Sequence, residues 1–172
     1  MECRSYRGIK LLEHAMKVVE RMFKNRIRQQ IDIHDMQFGL IKGKGTNDTI
    51  FIVRQMQQKF RAKEKKLHLG FVDLEKVFDR IPREVKRWAM RKLRVEEWLV
   101  SAVMSTYTGA KTVVRTVYGN SNGFEVKVSM HQGAALCPLL FVIVMEALSI
   151  KFRVALPWEL SYADDLAVIA ET

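Results

Sequence analysis

The chain has 172 residues, 48% of them hydrophobic and 28% charged, a composition typical of a packed globular domain. Lysine and arginine outnumber aspartate and glutamate by 29 to 19, giving a formal net charge of +10; this excess favours a polyanionic partner such as nucleic acid, although a basic surface can also serve solubility alone. The distant pair Cys3 and Cys137 excludes a disulfide framework or a zinc-binding pattern, and no apolar run reaches membrane-spanning length.

The N-terminal third of the chain carries two helical patterns joined by a loop. Apolar residues recur at helical spacing between residues 9 and 31, with lysines and arginines mainly on other faces, which predicts an amphipathic basic helix. The loop contains three glycines, Gly39, Gly43 and Gly45. A second helix is predicted from about Thr46 to the basic stretch at residues 59–66. Its positive charges would be favourable at a helix C-terminus, but they would be equally at home on a solvent-exposed face.

The middle of the chain predicts one strand and two helices. Residues 67–72 form a short apolar run bounded by charge, which indicates a buried strand ending at Asp73. Pro82 stands where a helix begins. The apolar face of that helix is predicted to contain Val85, Trp88, Ala89 and Leu93. A further helix is predicted from residue 96 to residue 107.

The C-terminal third predicts two hairpins separated by a helix. Residues 112–118 and 123–130 indicate strands around a turn at residues 119–123. Pro138 opens a very apolar helix. Two short apolar runs then flank Asp164 and Asp165, which indicates a hairpin with these acids at its tip. The mixed order of elements predicts an α+β fold, with a small antiparallel sheet backed by helices.

Three aspartates are the strongest candidates for chemistry. Adjacent carboxylates at a hairpin tip, Asp164 and Asp165, suit a divalent metal because hard cations prefer carboxylate oxygens on a stiff support. Aspartate is also a common turn residue, so the purely structural interpretation stays open. Asp73 follows a strand whose burial would make a carboxylate costly unless it were paired or metal-bound. Together the three acids could hold two divalent ions for in-line displacement at a phosphate.

Two further features have both a functional and a structural interpretation. Gln132-Gly133 lies between a strand and a helix, where glycine permits close approach of the backbone to a base or sugar. The alternative is a helix-entry turn before Pro138. Phe78, five residues after Asp73, equally suits a helix core.

Residues 39–46 prompt comparison with a phosphate-binding loop. The spacing fails because Lys44 is followed by Gly45 rather than by serine or threonine, and the two required glycines are one residue too close. No convincing strand precedes the loop. We therefore reject a phosphate-loop nucleotidase.

Taken in order, these segments resemble the reverse transcriptase domain of non-LTR retrotransposons. Residues 71–79 are similar to the first catalytic motif of that family, and residues 131–141 to the second. Tyr162-Ala163-Asp164-Asp165 matches its tyrosine-x-aspartate-aspartate signature. Residues 37–55 resemble the conserved fingers stretch, and residues 6–9 resemble the segment whose arginine contacts the incoming triphosphate.

The resemblance implies an RNA-directed DNA polymerase with a right-hand palm and part of the fingers, the fingers at residues 1–66 and the palm at residues 67–172. It implies two Mg²⁺ ions, with Mn²⁺ as a substitute, and three partners: an RNA template, a DNA primer and a deoxynucleoside triphosphate. It also implies that this chain lacks the fingers segment expected before Cys3, and the rest of the palm and the thumb expected after Thr172. We expect an intracellular location, and the nucleus is one candidate compartment.

The resemblance also implies roles for individual residues. The metal ligands would be Asp73, Asp164, Asp165 and the backbone carbonyl of Leu74. The residues around the incoming nucleotide would be Phe78 as steric gate, Gln132, Gly133 and, at the phosphates, Arg7. Tyr162 and Ala163 would lie near the primer end. Our candidates for a nucleic-acid surface, chosen for charge, are Lys42, Lys44, Lys59, Lys63, Lys65 and Lys66.

The chain departs from the family pattern at four positions: Leu40, Ile41, Val77 and Cys137. The first two stand where an aromatic residue and an arginine are common, which predicts weaker contacts of the fingers. An alternative function follows from these departures and from the incomplete fingers and thumb. The chain would then be a catalytically inactive retrotransposon remnant that binds nucleic acid through its basic surface.

Overall fold

Helices and short strands follow one another along the chain in a computed structural model that describes residues 10–126, 128, 130, 133–152 and 158–171. The helices are α1 (His14–Arg28), α2 (Thr46–Ala62), α3 (Val77–Arg80), α4 (Arg83–Lys92), α5 (Glu97–Ser105) and α6 (Cys137–Phe152). The strands are β1 (Leu67–Asp73), β2 (Lys111–Thr112), β3 (Arg115–Thr116), β4 (Gly119–Asn120), β5 (Phe124–Glu125), β6 (Trp158–Tyr162) and β7 (Asp165–Glu171).

The chain divides into two compact units. Unit 1 consists of Met1–Ile31 and Phe78–Cys137, and unit 2 consists of Asp32–Val77 and Pro138–Thr172. Each unit is therefore built from two separate stretches of sequence.

Unit 2 contains a three-stranded antiparallel sheet in the order β1-β7-β6. Alternate residues of its strands face a small core, because successive side chains of a strand point to opposite faces. The buried members of that core are Phe38, Met56, Leu160 and Ile169. Met56 comes from α2, so this helix covers one face of the sheet. The strand predicted at residues 67–72 is confirmed, and it includes Asp73.

The exposure of β1 differs from the sequence prediction. Phe71 is 74% exposed and Val72 is 45% exposed. The strand pairs only with β7 and lies at one edge of the described sheet. Because successive residues of a strand point to opposite faces, the C-terminal half of β1 is open to water on both faces, and the apolar run did not mark a buried strand.

Unit 1 contains a helical core. Its fully buried side chains include Ile27 of α1, Ala89 of α4, and Leu99 and Val103 of α5. The buried face of α4 carries Lys86, Ala89 and Met90, whereas Trp88 is 38% exposed. The predicted apolar face of this helix was thus wrong at Trp88. Lys86 can be buried because its ammonium lies 3.9 Å from the centroid of the Tyr107 ring, a cation–π geometry.

The hairpin of unit 1 also differs from its prediction. Strand β3 pairs with β4 and β2 pairs with β5, so the tight turn lies at Val117-Tyr118 rather than at residues 119–123. The Thr116 hydroxyl explains this position: its oxygen accepts a hydrogen bond from Tyr118 N and donates one to Gly119 O. Threonine side chains favour turns through local hydrogen bonds of this kind to the backbone.

Helix α6 is apolar on nearly all sides, as the sequence predicted. Residues 139–147 are all buried, and they include Glu146. Within the described part of the chain, no helix combines the length and apolarity needed to cross a membrane.

Candidate active site

The hairpin of β6 and β7 brings two of the three candidate acids next to the third. The chain turns at Ala163 and Asp164, with Ala163 in the left-handed region at φ 55°. Asp165 then opens β7 and pairs directly with Asp73 at the end of β1. Directly opposed residues of an antiparallel pair point to the same face, with Cβ atoms about 4.5–5.5 Å apart. Asp73 and Asp165 are therefore neighbours on one face of the sheet.

Tyr162 lies on the same face as these two acids, because it pairs with Asp165 from the β6 side. Its ring packs against the small core of unit 2. The hairpin thus has a partly buried aromatic side chain directly before the turn that carries the carboxylates.

The electrostatics of the site agree with this arrangement. Partial desolvation, followed by the negative charges of Asp164 and Asp73, raises the pKa of Asp165. The three carboxylates are therefore close enough to repel one another. In a chain whose net charge is +10, they form a local site that attracts cations.

The three carboxylates are the kind of oxygen ligand that a divalent ion prefers, although they do not surround an ion completely. Among the described residues, no three Asp, Glu, His or Cys side chains converge closely enough to hold one ion. Mg²⁺ is usually bound by one or two carboxylates together with water and substrate phosphates rather than by an all-protein cage. Asp73, Asp164 and Asp165 fit that mode of binding, because all are at least partly exposed.

The next residues of the first motif form a turn. The Leu74 carbonyl accepts a hydrogen bond from Val77 N at 3.4 Å, which leaves its second lone pair available. Phe78 is half-buried, and its carbonyl accepts a hydrogen bond from Met130 N at 2.8 Å. The acids belong to unit 2 and Phe78 to unit 1.

The second motif is described only in part. Gly133 has φ 94°, a left-handed conformation that strains any residue with a Cβ. A glycine is thus required here by the backbone itself. Two other residues expected near the nucleotide, Arg7 and Gln132, lie outside the described residues.

The six lysines chosen as nucleic-acid contacts differ in their surroundings. Lys44 is held by Asp35, whose carbonyl accepts a hydrogen bond from the ammonium at 2.6 Å, and it lies 5.1 Å from the Phe38 ring centroid. The ammonium of Lys44 therefore already has partners within unit 2. The other five are exposed: Lys42, Lys59, Lys63, Lys65 and Lys66.

Sequence reasoning missed Glu20, a residue that supports the second motif. Its carboxylate is 3% exposed and accepts a hydrogen bond from Ala135 N at 2.8 Å. Burial raises the pKa of Glu20, while hydrogen bonds from the backbone of Ala135 and Leu136 lower it in part. These N–H groups directly precede α6, where donors have no partner within the helix. The sequence signal that could have indicated this burial is the position of Glu20, which lies at helical spacing from the apolar residues Met16 and Ile27.

Sequence reasoning also gave no role in the site to Gly39. The backbone of this residue lies directly against Tyr162 and Ala163. It belongs to the stretch that resembles the fingers motif, but nothing in the sequence indicates a contact with the acidic hairpin.

Three comparisons with known proteins agree with one another. A family model described as reverse transcriptase (RNA-dependent DNA polymerase) matches residues 2–172. The Retrovirus-related Pol polyprotein from type-1 retrotransposable element R2 of Nasonia vitripennis is 24% identical over 180 residues, covering 100% of this chain and 18% of that protein. The Putative 115 kDa protein in type-1 retrotransposable element R1DM of Drosophila melanogaster is 30% identical over 173 residues, covering 97% and 16%. The chain spans less than a fifth of these relatives.

Solved structures of telomerase share the fold. Telomerase from Candida tropicalis, in complex with the TWJ fragment of telomeric RNA, has a TM-score of 0.65 and 14% identity, covering 91% of this chain and 28% of that one. The corresponding complex from Candida albicans has a TM-score of 0.65 and 11% identity, covering 90% and 30%. The likeness confirms the predicted α+β fold of a polymerase palm with part of the fingers.

Proposed function

Because the chain belongs to the reverse transcriptase (RNA-dependent DNA polymerase) family, we propose that it carries the catalytic centre of an RNA-directed DNA polymerase. The reaction is attack of the 3′-hydroxyl of a DNA primer, paired to an RNA template, on the α-phosphate of a deoxynucleoside triphosphate, which adds one deoxynucleotide and releases pyrophosphate. The observation that supports this proposal most strongly is the pairing of Asp73 with Asp165, directly beside the turn residue Asp164.

Asp73, Asp164 and Asp165 would hold two Mg²⁺ ions, or Mn²⁺ in their place, with the Leu74 carbonyl as a further ligand. Two such ions, when bound, stabilise the attacking and leaving oxygens of an in-line displacement. The contribution of the chain is to fix the carboxylates on paired strands, so that they need not reorganise during the reaction.

The incoming nucleotide would be bordered by residues of both sequence motifs. Phe78 would exclude a 2′-hydroxyl, Gly133 would allow close approach of the backbone, and Tyr162 and Ala163 would lie near the primer end. Gln132 and Arg7 would contribute at the nucleotide and its phosphates. These roles follow from the family resemblance.

Nucleic acid would be bound through the exposed lysines at the end of α2, together with Lys42. We assign residues 1–66 to the fingers and residues 67–172 to the palm as part of this proposal. Neutralisation of phosphates releases counterions, so the affinity for nucleic acid should fall steeply with salt, with a log–log slope of about −0.7 to −0.9 per phosphate contacted. A flat slope would contradict a binding role for this charge.

The second candidate function is nucleic-acid binding without catalysis. Its support is the net charge of +10, together with the exposed lysines that follow α2. This alternative predicts the same salt dependence, but no dependence of any activity on the aspartates.

Primer extension on an RNA template with Mg²⁺ separates the two functions. Asp164→Asn keeps the shape of the side chain but removes a charge that faces the cations, and we expect a loss of at least about 100-fold in kcat. Asp32→Asn is the matched control, since Asp32 is exposed and distant in sequence from the site. Primer–template affinity should be unchanged in both variants. Phe78→Ala should separately increase incorporation of ribonucleotides.

If the wild-type chain binds primer–template without extending it, the polymerase function is wrong for this chain and the binding function replaces it. Equal extension by wild type and Asp164→Asn would also exclude the proposed catalytic role of Asp164.

A further inference from the structure

Residues 36–39, which we call the edge segment, cover the edge of β6 that does not pair with β7. Phe38 N donates a hydrogen bond to Ser161 O at 2.8 Å, and Ser161 N donates one to Met36 O at 3.0 Å. Gln37 forms a parallel bridge with Ser161. The edge segment therefore extends the sheet beside the strand that leads into the acidic turn.

Side chains on both sides of the bridge fix the edge segment in place. Phe38 is 7% exposed and packs with Met56 and Leu160. Gln37 is 2% exposed, and its Oε1 accepts a hydrogen bond from Gly39 N at 3.1 Å. The position of Gly39 is thus determined by a buried ring and a buried amide, and little freedom remains for its Cα.

Gly39 directly contacts the backbone of the acidic hairpin. A Cβ on Gly39 would lie 2.0 Å from Ala163 N and 2.7 Å from both Ala163 Cα and Tyr162 C. Real Cβ atoms essentially never lie within 3.0 Å of a heavy atom from a different part of the chain. The contacted atoms are backbone, so no rotamer change can relieve the overlap. Gly39 has an ordinary backbone conformation, and the requirement for glycine is one of space alone.

We propose that Gly39 is a positioning residue for the carboxylate hairpin. Its bare Cα lets the edge segment lie against Tyr162 and Ala163, and this contact fixes the turn that places Asp164 beside the paired residues Asp73 and Asp165. The inference rests on the proposed metal-dependent function, and it adds a determinant of the metal site that is not itself a ligand.

The size of the effect follows from the overlap. Replacing Gly39 by alanine forces the two backbones apart by about 1 Å before the shortest contact reaches even 3.0 Å. A misplacement of about 1 Å can reduce a rate by about 100-fold. Changes behind a metal ligand typically weaken metal affinity by about 10- to 100-fold.

The matched control is Gly70→Ala in β1. The nearest atom to a Cβ at Gly70 is Val168 O at 4.0 Å, an ordinary contact, and Gly70 likewise has no positive φ. The two variants add the same methyl group to the same sheet region, but only one of them meets the hairpin.

The first measurement is a titration of the full chain with Mn²⁺, monitored by electron paramagnetic resonance. The part of the binding signal that Asp164→Asn removes is assigned to the carboxylate site. We expect Gly39→Ala to raise the Kd at least about 10-fold and Gly70→Ala to leave it within about twofold. An unchanged Kd in Gly39→Ala, or equal weakening in both glycine variants, would overturn the inference.

The second measurement is single-nucleotide addition to a DNA primer on RNA. Gly39→Ala should lower kcat by about 100-fold, with KM for the nucleotide and the Kd for primer–template nearly unchanged. A rise in either constant with kcat preserved would contradict a role through the carboxylates.

Failure of the proposed function would be distinguishable from failure of this inference. If wild type binds Mn²⁺ through Asp164 but never extends the primer, the polymerase proposal fails and the inference is decided by Mn²⁺ binding alone. If wild type shows no Mn²⁺ binding that Asp164→Asn removes, both are overturned.

A second variant covers the case in which Gly39→Ala does not fold. Gln37→Ala removes the acceptor of Gly39 N without adding an atom near the hairpin. It should weaken Mn²⁺ binding severalfold, and an unchanged affinity would overturn the inference.

Discussion

The acidic turn at Ala163-Asp164 and the loop from Gly133 to Leu136 are both supported by residues distant in sequence, but through different kinds of contact. The turn lies against a neutral backbone surface at Gly39. The loop is held by the buried carboxylate of Glu20. A contact between backbones tolerates no added methyl group and is indifferent to pH, whereas a carboxylate contact tolerates an isosteric amide and depends on protonation.

The kind of support matches the local charge at the acidic turn and at the loop before α6. The acidic turn already carries mutually repelling carboxylates, and a further charged support would perturb them. The loop before α6 presents backbone N–H groups at a helix start, where a carboxylate is favoured by both hydrogen bonding and the helix dipole.

The largest expected effect tests what fixes the edge segment. Phe38→Ala removes a buried ring and should lower the free energy of unfolding by about 3–4 kcal/mol in urea denaturation. The amide of Ser161 should also exchange faster with deuterium, because its bond to Met36 O depends on the edge segment. Phe51→Ala is the control, since Phe51 is 62% exposed. Equal losses in the two variants would show that the edge segment is held mainly by its backbone bonds.

Glu20→Leu should have the next largest effect. It leaves the N–H groups of Ala135 and Leu136 without their acceptor, and an unsatisfied buried donor costs about 1–3 kcal/mol. Relief from burying the carboxylate offsets part of this loss, so we expect a net decrease of about 2 kcal/mol in urea denaturation. Glu13→Leu serves as the control, because Glu13 is exposed and its side chain makes no capping bond to α1. A neutral or stabilising result for Glu20→Leu would contradict the supporting role of Glu20.

Glu20→Gln should change stability by less than about 1 kcal/mol at neutral pH, because the amide oxygen still accepts a hydrogen bond. The pKa of Glu20 is raised above its ordinary value of 4.5, so the folded chain binds more protons than the unfolded chain just above pH 4.5. In wild type this group therefore adds stability as the pH falls through the raised pKa toward 4.5. The variant should lose that contribution to the pH dependence. Identical pH profiles of unfolding would show that Glu20 does not titrate in this way.

Lys44→Met should have the smallest effect. The partner carboxylate of Lys44 is fully exposed, and exposed ion pairs typically contribute about 0.2–1 kcal/mol. We expect a change of a few tenths of a kcal/mol that diminishes in added salt. A loss above about 1 kcal/mol would mean that charge contributes substantially to holding the edge segment, and the contrast with the loop at Glu20 would disappear.

Much of the candidate site could be predicted from local sequence. The short apolar runs before Asp73 and on either side of Asp164-Asp165 indicate strands, and the order of motifs identifies the family. The register that pairs Asp73 with Asp165 could not be read in this way, because it depends on which residues of two distant strands meet. The exposure of Phe71 was missed because a strand's own residues do not say which parts of its two faces another element covers.

The sequence by itself determined the three carboxylates, the hairpin that carries two of them, and the apolar helix α6, because each follows from periodicity or turn chemistry over a few residues. Only the tertiary structure decided the roles of Gly39 and Glu20. Each acts on residues far along the chain, and an ordinary glycine or glutamate has no local pattern that records such a contact. Close backbone approach and burial of a charge are properties of packing, and they became visible only when the distant segments were brought together.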